Sequence, residues 1–314
     1  MGKTGTPRRR GVRTSRVATV AGLAGLVALT TTGCSVEEVL RFGWPEGITP
    51  EAQQMRQLWI GSVIAALAVG ALVWGLLIWS VTFHRKKKGD SEFPRQFQYN
   101  VPLEIFAVGL PTVMVCGLFY FTVTTETDVV RSDKPNPDVV VDVTAFQWNW
   151  EFSYPGEETP DGDVVRTTGS SSEIPLLVLP TDRRIQFNLR STDVIHAFWV
   201  PDLLFKRDVM PQPERNNQDA DFQITRIDRE GAFVGRCAEL CGTYHAVMNF
   251  ELRALSPDKY EQYMQLRRSV NPQTGQPYTA AEALEEMDCG ELCSPTAIST
   301  KPFNTDRLAR SASG

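Results

Sequence analysis

The sequence predicts a membrane α fold joined to an all-β domain: a two-helix transmembrane hairpin followed by a Greek-key β-sandwich. Three observations predict it. Residues 58–83 and 105–125 carry no charge, and each run is long enough to cross a bilayer core, which needs about 20 apolar residues. The loop between the two runs is strongly basic, which orients the hairpin. Short alternating segments separated by glycine and proline fill residues 135–255, as in a sandwich or barrel.

The formal net charge of −5 over 314 residues hides an uneven distribution. Residues 1–33 carry six basic side chains and no acidic one, so the rest of the chain has a net charge of −11. Residues 128–255 hold 21 acidic and 13 basic side chains, a net charge of −8. Such a domain repels nucleic acid and attracts a basic partner surface, which argues against nucleic-acid binding.

The basic start is followed by an uncharged stretch, residues 17–36, which is typical of a secretory signal. We therefore expect residues 1–33 to be a signal peptide of the lipoprotein type, with Cys34 as the lipidated new N-terminus. Thr31 stands where such signals usually carry leucine. A first membrane helix is the alternative. After cleavage, residues 34–55 would form an extracytoplasmic N-terminal segment.

The transmembrane hairpin is assigned to residues 56–127. His84, Arg85 and three lysines follow the first span, and positive loops stay in the cytoplasm. Loop 84–103 is therefore expected inside, and everything after Glu126 outside. This predicts a two-span protein of the bacterial plasma membrane, in contact with lipid. Core helices of a soluble domain are the alternative, but these are rarely so long and uncharged all round.

Glu104 begins the second span at its cytoplasmic edge. A carboxylate there fits a solvated helix start, which the helix dipole favours. It fits equally a group on an ion or proton path, since ionisable groups at membrane depth are otherwise costly. The residues alone leave both readings open.

The outer domain is assigned to residues 128–255. Alternation predicts strands at four places in it, namely residues 139–148, 184–190, 221–227 and 249–255. Residues 256–314 form a C-terminal extension, with one helix after Ser256 and a second that starts at the capping box of Thr279. The remainder of the extension is polar and is expected to be loose.

The candidate metal ligands are concentrated in one short stretch. Cys237, Cys241, His245 and Met248 lie close together in sequence, and His196 is expected near the end of an earlier strand. Thiolate, imidazole and thioether together are the ligand set of electron-transfer copper, whereas zinc does not select methionine. Taken singly, the cysteines are open to a disulfide, the methionine to core packing, and each histidine to an ordinary hydrogen bond. The combination favours copper.

Cys237 decides the number of copper ions. A mononuclear site uses one cysteine, whereas two thiolates four residues apart are able to bridge two coppers. Each copper then takes one histidine, with Met248 as a weak ligand of one and a backbone carbonyl as a weak ligand of the other. Such a centre favours fast electron transfer rather than substrate chemistry.

These motifs resemble subunit II of respiratory cytochrome c oxidase. Residues 196–201, HAFWVP, followed by C-x-E-x-C-G-x-x-H-x-x-M, are similar to that family's ligand motif. Residues 147–150, QWNW, are similar to its tryptophan-rich motif. The resemblance covers about residues 50–255, including the two spans, and implies a cupredoxin-like β-sandwich on a helical hairpin.

The resemblance implies a binuclear copper centre, CuA. Its ligands on this chain would be the backbone carbonyl of Glu239 and the side chains of His196, Cys237, Cys241, His245 and Met248. The Glu239 carboxylate is implied to reach a magnesium or manganese ion shared with subunit I, and a hard carboxylate suits such an ion.

Three further residues match family positions that have a role. Trp148 matches the tryptophan that receives electrons above the copper, although the residues alone favour sandwich core. Asp193 matches an acidic residue of the cytochrome c docking face, or else is a strand-end turn residue. Glu104 matches a glutamate at the mouth of a proton-uptake pathway.

The implied function is that of the electron-transfer subunit of cytochrome c oxidase, an oxidoreductase in which another subunit reduces oxygen. The chain would accept electrons from cytochrome c, or from a cytochrome c domain of a bc complex. It would pass them to haem in subunit I for reduction of oxygen to water and proton pumping. Three other functions are alternatives. They are a mononuclear copper-binding lipoprotein such as a cupredoxin or copper chaperone, subunit II of a quinol oxidase, and an exported protein held by disulfides.

The chain departs from the family pattern in four places. Asn149 stands where an aromatic residue is common, and Phe106 and Ala107 stand where a tryptophan is usual. Residues 214–221 form a polar insert before the copper loop. The tail carries a second cysteine pair with no histidine nearby, for which a disulfide is expected in an oxidising compartment. The members of that pair are Cys289 and Cys293.

Overall fold

The computed structural model describes residues 35–93, 96, 98–131 and 135–300. The expected signal peptide and the expected lipidation at Cys34 lie outside these residues. Residues 35–44 belong to one compact unit, and the described residues from 45 onward belong to a second. The first unit holds α1, Val36–Arg41, which begins with a reciprocal capping box between Ser35 and Glu38.

Two long apolar helices confirm the predicted hairpin. They are α2, Pro50–Phe83, and α3, Val101–Val130, and each is long and apolar enough to cross a membrane. α2 begins before the uncharged run because Thr49 caps it. The Thr49 hydroxyl accepts the N–H of Ala52 at 3.1 Å, and Pro50 takes the first helical position.

Within residues 135–300, ten strands form two five-stranded sheets that pack face to face. The first sheet has the order β3-β2-β1-β5-β8 and the second the order β4-β10-β9-β6-β7. The pairs β1–β5 and β4–β10 are parallel, and the other pairs are antiparallel. The strands are β1 Val139–Phe146, β2 Asn149–Glu158, β3 Val164–Thr168, β4 Leu176–Pro180, β5 Ile185–Ser191, β6 His196–Val200, β7 Phe205–Val209, β8 Asp221–Ile224, β9 Gly231–Cys237 and β10 Asn249–Leu255.

Buried aromatic side chains from both sheets fill the space between them. Trp150 and Phe152 of β2 meet Phe250 of β10, each at a ring-centroid distance of 5.3 Å. Phe198 of β6 stacks on Phe250 at 4.9 Å. Trp150 also meets the ring of His196 at a centroid distance of 6.2 Å, so this aromatic core lies against the region that carries the candidate ligands.

One expectation about the strands is wrong. His196 does not lie near the end of a strand but opens β6. β5 ends at Ser191 in the first sheet, and residues 192–195 then cross to the second sheet, where the Thr192 N–H donates to the Ala145 carbonyl at 3.0 Å. The histidine is therefore placed by a change of sheet that alternation does not reveal.

The hairpin is fastened to the sandwich at the start of α2. Glu51 is buried there, and its Oε1 accepts the N–H of Thr225 at 3.0 Å and the hydroxyl of the same residue at 2.7 Å. Just before the helix, Ile48 donates its N–H to the Asp202 carbonyl, and its own carbonyl accepts the N–H of Asp228. The outer end of the first span therefore sits directly against the sandwich.

The extension is more ordered than expected. It contains α4, Pro257–Arg267, and α5, Ala280–Met287, followed by a disulfide between Cys289 and Cys293. Residues 290–300 pack against β10 instead of lying loose, because two charged side chains of that strand bind their backbone. Those side chains, Glu251 and Arg253, are fully buried and pair with each other at 2.6 Å.

Candidate metal centre

β6, β9 and the loop before β10 bring the predicted copper ligands together. β6 and β9 are hydrogen-bonded neighbours, so His196 at the start of one lies beside Cys237 at the end of the other. The Sγ atom of Cys237 is 3.8 Å from Nδ1 of His196 and 3.8 Å from Sγ of Cys241.

The loop supplies the remaining groups. Sγ of Cys241 lies 3.6 Å from Nδ1 of His245 and 3.7 Å from Sδ of Met248. The Glu239 carbonyl lies 3.2 Å from Sγ of Cys237. A short 3₁₀ turn, His245–Val247, brings both later ligands back toward the cysteines. The structure thus places the four other predicted ligand groups around the sulfur atoms of Cys237 and Cys241.

The donor set fits copper. Both cysteines are free thiols, and the ligand atoms of His196, Cys237 and Cys241 lie within 4.8 Å of one another. Met248 is fully buried with its sulfur turned toward Cys241. Two soft thiolates, two imidazoles and a thioether match the preferences of copper, and the unbonded sulfurs argue against a disulfide at this pair.

The surroundings treat the two thiols differently. Burial opposes ionisation of Cys237, but hydrogen bonds from His196 and from backbone groups outweigh it and lower the pKa of this thiol from 9.0 to about 7. Burial and the neighbouring Cys237 raise the pKa of Cys241 to about 12. One thiolate therefore forms near neutral pH, and a bound metal must displace the second proton.

Asp193 is hydrogen-bonded to the candidate ligand His196 as well as partly exposed at the surface. His196 lies between Asp193 and Cys237: its Nδ1 faces the Cys237 sulfur, and its Nε2 lies 2.9 Å from Asp193 Oδ1, to which it donates when it carries a proton. Burial opposes charge on both His196 and Asp193. Hydrogen bonds to Cys237 and Asp193 outweigh burial and raise the pKa of His196, and hydrogen bonds from His196 and two backbone N–H groups lower the pKa of Asp193. Oδ2 of the carboxylate accepts the N–H of Gln147 at 2.6 Å.

Trp148 lies against the copper loop. Its indole N–H donates to the Cys241 carbonyl at 3.0 Å, and the Gln147 side-chain amide donates to the same oxygen at 2.8 Å. The ring of Tyr244 meets Trp148 edge-on, with centroids 5.0 Å apart. The tryptophan is partly exposed, so it connects the protein surface with the backbone of a ligand.

The Glu239 carboxylate points away from the sulfur atoms. Its side chain is 44% exposed, and Oε2 lies 3.9 Å from Nζ of Lys206 on β7. Lys206 also pairs with Asp208 at 2.8 Å. Glu239 thus presents its carbonyl to Cys237 and its carboxylate to the outer face of the loop.

Glu104 stands apart from the centre, in the first turn of α3. Its Oε1 accepts the N–H of Asn100 at 3.0 Å, which completes the cap of the helix, and its side chain is exposed.

Two hydrogen bonds at the centre come from residues to which the sequence assigned no role. Neither the Gln147 bond to the Cys241 carbonyl nor the Trp150 bond to the Met248 carbonyl was expected. The signal that could have found them is the QWNW motif, since both residues belong to it and it lies where β1 turns into β2 beside the ligand loop.

Comparisons with known proteins agree with this geometry. A family model described as "Cytochrome C oxidase subunit II, periplasmic domain" matches residues 139–255. A probable cytochrome c oxidase subunit 2 of Nocardia farcinica is 48% identical, over 96% of this chain and 92% of the relative. Cytochrome c oxidase subunit 2 of Mycobacterium tuberculosis is 45% identical, over 92% of this chain and 89% of the relative.

Among solved structures, the periplasmic domain of subunit II of the cytochrome oxidase of Bradyrhizobium japonicum is similar. The identity is 25% and the TM-score 0.35, and the match covers 42% of this chain and 94% of that structure.

The match to the first two relatives extends over nearly their whole length. Cytochrome c oxidase is an oxidoreductase of several subunits, so this chain is an enzyme subunit with the other subunits as its partners. It is a membrane protein with a periplasmic domain, since two helices able to span a membrane precede the matched residues. The chain belongs to the cytochrome c oxidase subunit II family.

Proposed function

We propose that this chain carries a binuclear CuA centre and relays electrons into its oxidase. It accepts them one at a time from cytochrome c, or from a cytochrome c domain of a bc complex, and passes them to haem in subunit I. Subunit I reduces oxygen to water and pumps protons. The observation that carries the proposal is the pair of unbonded sulfur atoms, 3.8 Å apart, of Cys237 and Cys241.

The residues around this pair support a two-copper site. Cys237 and Cys241 would bridge the metals, and each has one imidazole nitrogen within 3.8 Å. Met248, beside Cys241, and the Glu239 carbonyl, beside Cys237, would be weak ligands. When copper is bound, the centre would accept and release one electron, which the two copper ions share. The buried strands β6 and β9 keep the ligands in place, which lowers the reorganisation that electron transfer requires.

Trp148 is the proposed point at which electrons arrive. It is partly exposed, and its indole N–H bonds directly to the backbone of Cys241. Asp193 lies beside it and is proposed to act in docking of the donor as well, since its side chain remains 29% exposed while it holds His196.

Two carboxylates are proposed to serve other steps. The outward carboxylate of Glu239 would bind a magnesium or manganese ion shared with subunit I, because its exposed oxygen is a hard ligand. Glu104 would lie at the mouth of a proton-uptake pathway, because it is exposed at the start of α3 beside the basic loop.

Copper analysis of the full-length chain in detergent tests the two-copper site. We expect two coppers per chain, and we expect Cys237→Ser to lose the binuclear centre. Cys116→Ser is the matched control, because this free thiol lies in α3 and away from the ligands. One copper per chain, or an unchanged centre in Cys237→Ser, would refute the proposal in favour of a mononuclear copper protein.

A further inference from the structure

We propose that Trp150, held by Asn149, is a positioning residue that fixes Met248 at the copper centre and thereby sets the reduction potential of that centre. The inference rests on the proposed CuA centre and assigns a role to the second tryptophan of the QWNW motif. Trp148 and Trp150 both direct an indole N–H at the copper loop, but they bind different ligands.

Trp150 bonds to the backbone of the methionine. Its Nε1–H donates to the Met248 carbonyl at 3.3 Å. The same carbonyl accepts the N–H of Cys237 at 3.1 Å. The Met248 carbonyl oxygen therefore joins the Trp150 indole to the backbone of Cys237. A movement of the indole would change the distance between Met248 and Cys237.

The indole itself has no room to move. Trp150 is fully buried, and its ring meets Phe250 edge-on at a centroid distance of 5.3 Å. The ring of His196, another ligand, lies 6.2 Å away at 61°. Phe198 closes the third side at 6.1 Å. Trp150 is thus packed between His196, on β6, and the backbone of Met248, in the loop before β10.

Asn149 fixes the backbone that carries this indole. Its Oδ1 accepts the Trp150 N–H at 2.9 Å, and its Nδ2 donates to the Ser170 carbonyl at 2.5 Å. Gly169 makes this possible, because a Cβ at that position would come within 2.0 Å of Asn149 Oδ1. The Gly169 N–H in turn donates to the Trp150 carbonyl at 3.0 Å. The asparagine that departs from the family motif therefore has a definite task in this chain.

The expected direction of the effect follows from the chemistry of the thioether. Sulfur donates electron density and so stabilises the oxidised, more positive state of a copper centre. If Met248 is released from Trp150, its sulfur spends less time at bonding distance, and the oxidised state loses stability. The reduction potential should then rise.

The test is a double-mutant cycle on the full-length chain within its oxidase, read by spectroelectrochemistry and electron paramagnetic resonance. We expect Trp150→Phe to raise the potential and broaden the copper hyperfine lines. In a Met248→Leu background, which has no thioether to position, the same change should leave the potential unshifted. Asn149→Ser should give a smaller rise than Trp150→Phe.

Phe187→Leu is the matched control. Phe187 is a fully buried aromatic residue of the same core that stacks on Phe222 at 4.7 Å. Its truncation should lower the thermal stability without moving the potential. Equal shifts in the Met248 and Met248→Leu backgrounds, or an unmoved potential, would overturn the inference. If Trp150→Phe fails to fold, the potential of Asn149→Ser is compared in the Met248 and Met248→Leu backgrounds instead. A parent chain without a two-copper spectrum would instead refute the proposed function.

Discussion

At the scale of single residues, the two histidines of the centre occupy different environments. His196 is fully buried and has a carboxylate partner on its far nitrogen, whereas His245 lies on the loop and is partly exposed. A carboxylate behind a ligating imidazole fixes the ring orientation and makes the nitrogen more basic. Asp193 should therefore matter for metal affinity as well as for docking.

Replacing Asp193 by alanine should weaken copper binding. Loss of such a partner typically costs about 10–100-fold in metal affinity, because the imidazole is no longer oriented. Competition titration of the full-length chain against a copper chelator measures it. Asp161→Ala, an exposed carboxylate on the hairpin between β2 and β3, is the control. Equal affinities in the two variants would show that Asp193 does not support His196.

Replacing Trp148 by phenylalanine should slow electron arrival while the copper content stays complete. The change keeps an aromatic ring but removes the N–H that binds the Cys241 carbonyl. The loss of one hydrogen bond is worth about 1 kcal/mol, and a barrier raised by that amount corresponds to a rate about fivefold lower. Stopped-flow reduction by a reduced cytochrome c measures this rate, and a full rate in the variant would remove Trp148 from the path.

Gly242 offers a second way to disturb the same contact. Its φ is +121°, and a Cβ there would lie 3.1 Å from the Trp148 indole nitrogen. Gly242→Ala should therefore slow electron arrival in the same direction as Trp148→Phe.

At the scale of elements, periodicity predicted what depends on local pattern. Residues of β5 alternate, with Ile185, Phe187 and Leu189 buried, and this strand was found. β4 was missed because all five of its residues are buried and no alternation remains. β9 was missed because Gly231 and Gly235 interrupt its pattern; the second leaves space for the ring of Phe250.

In the candidate centre, too, groups close in sequence could be predicted and contacts between distant segments could not. The loop from Cys237 to Met248 was readable because its ligands are close in sequence. The hydrogen bonds to those ligands were not, because Trp148 and Trp150 reach the loop only after the two sheets have packed, and Asp193 turns toward His196 only where residues 192–195 cross between the sheets. The order of the extension was missed for the same reason, since its backbone is bound by charges buried on β10.

The ion pair on β10 makes a clear prediction about the extension. Arg253 donates to the carbonyls of Leu292, Ser294 and Thr296, and Glu251 accepts N–H groups of residues 298–300. Arg253→Met should lower the free energy of unfolding by about 3–5 kcal/mol, because it leaves a buried carboxylate without its charge partner.

Chemical unfolding of the full-length chain, followed by near-ultraviolet circular dichroism, checks this value. Arg183→Met, at an exposed position after β4, is the control and should change stability by less than about 0.5 kcal/mol. Similar stabilities of the two variants would mean that the extension is held by other contacts.

At the scale of the whole molecule, charge is divided between the two sides of the membrane. The loop after α2 is basic, whereas residues 128–255 have a net charge of −8. The mild average of the chain is therefore the sum of positive residues 1–33, a basic loop between the two long helices and an acidic outer domain. The acidic domain should attract a cationic redox partner toward the copper centre.

Salt should slow the encounter with such a partner. Between about 0.01 M and 0.15 M ionic strength the Debye length falls from about 30 Å to about 8 Å, which screens long-range attraction. The second-order rate of reduction of the purified oxidase by a basic cytochrome c should fall at least tenfold over this range. A rate independent of salt would contradict steering by the outer domain.

In the proposed centre, two thiolates of this chain hold two copper ions that share one electron. Electron paramagnetic resonance of the oxidised, copper-loaded full-length chain tests it most directly. Two equivalent copper nuclei should divide the signal into up to seven hyperfine lines. A four-line spectrum, the sign of a single copper nucleus, would contradict the account.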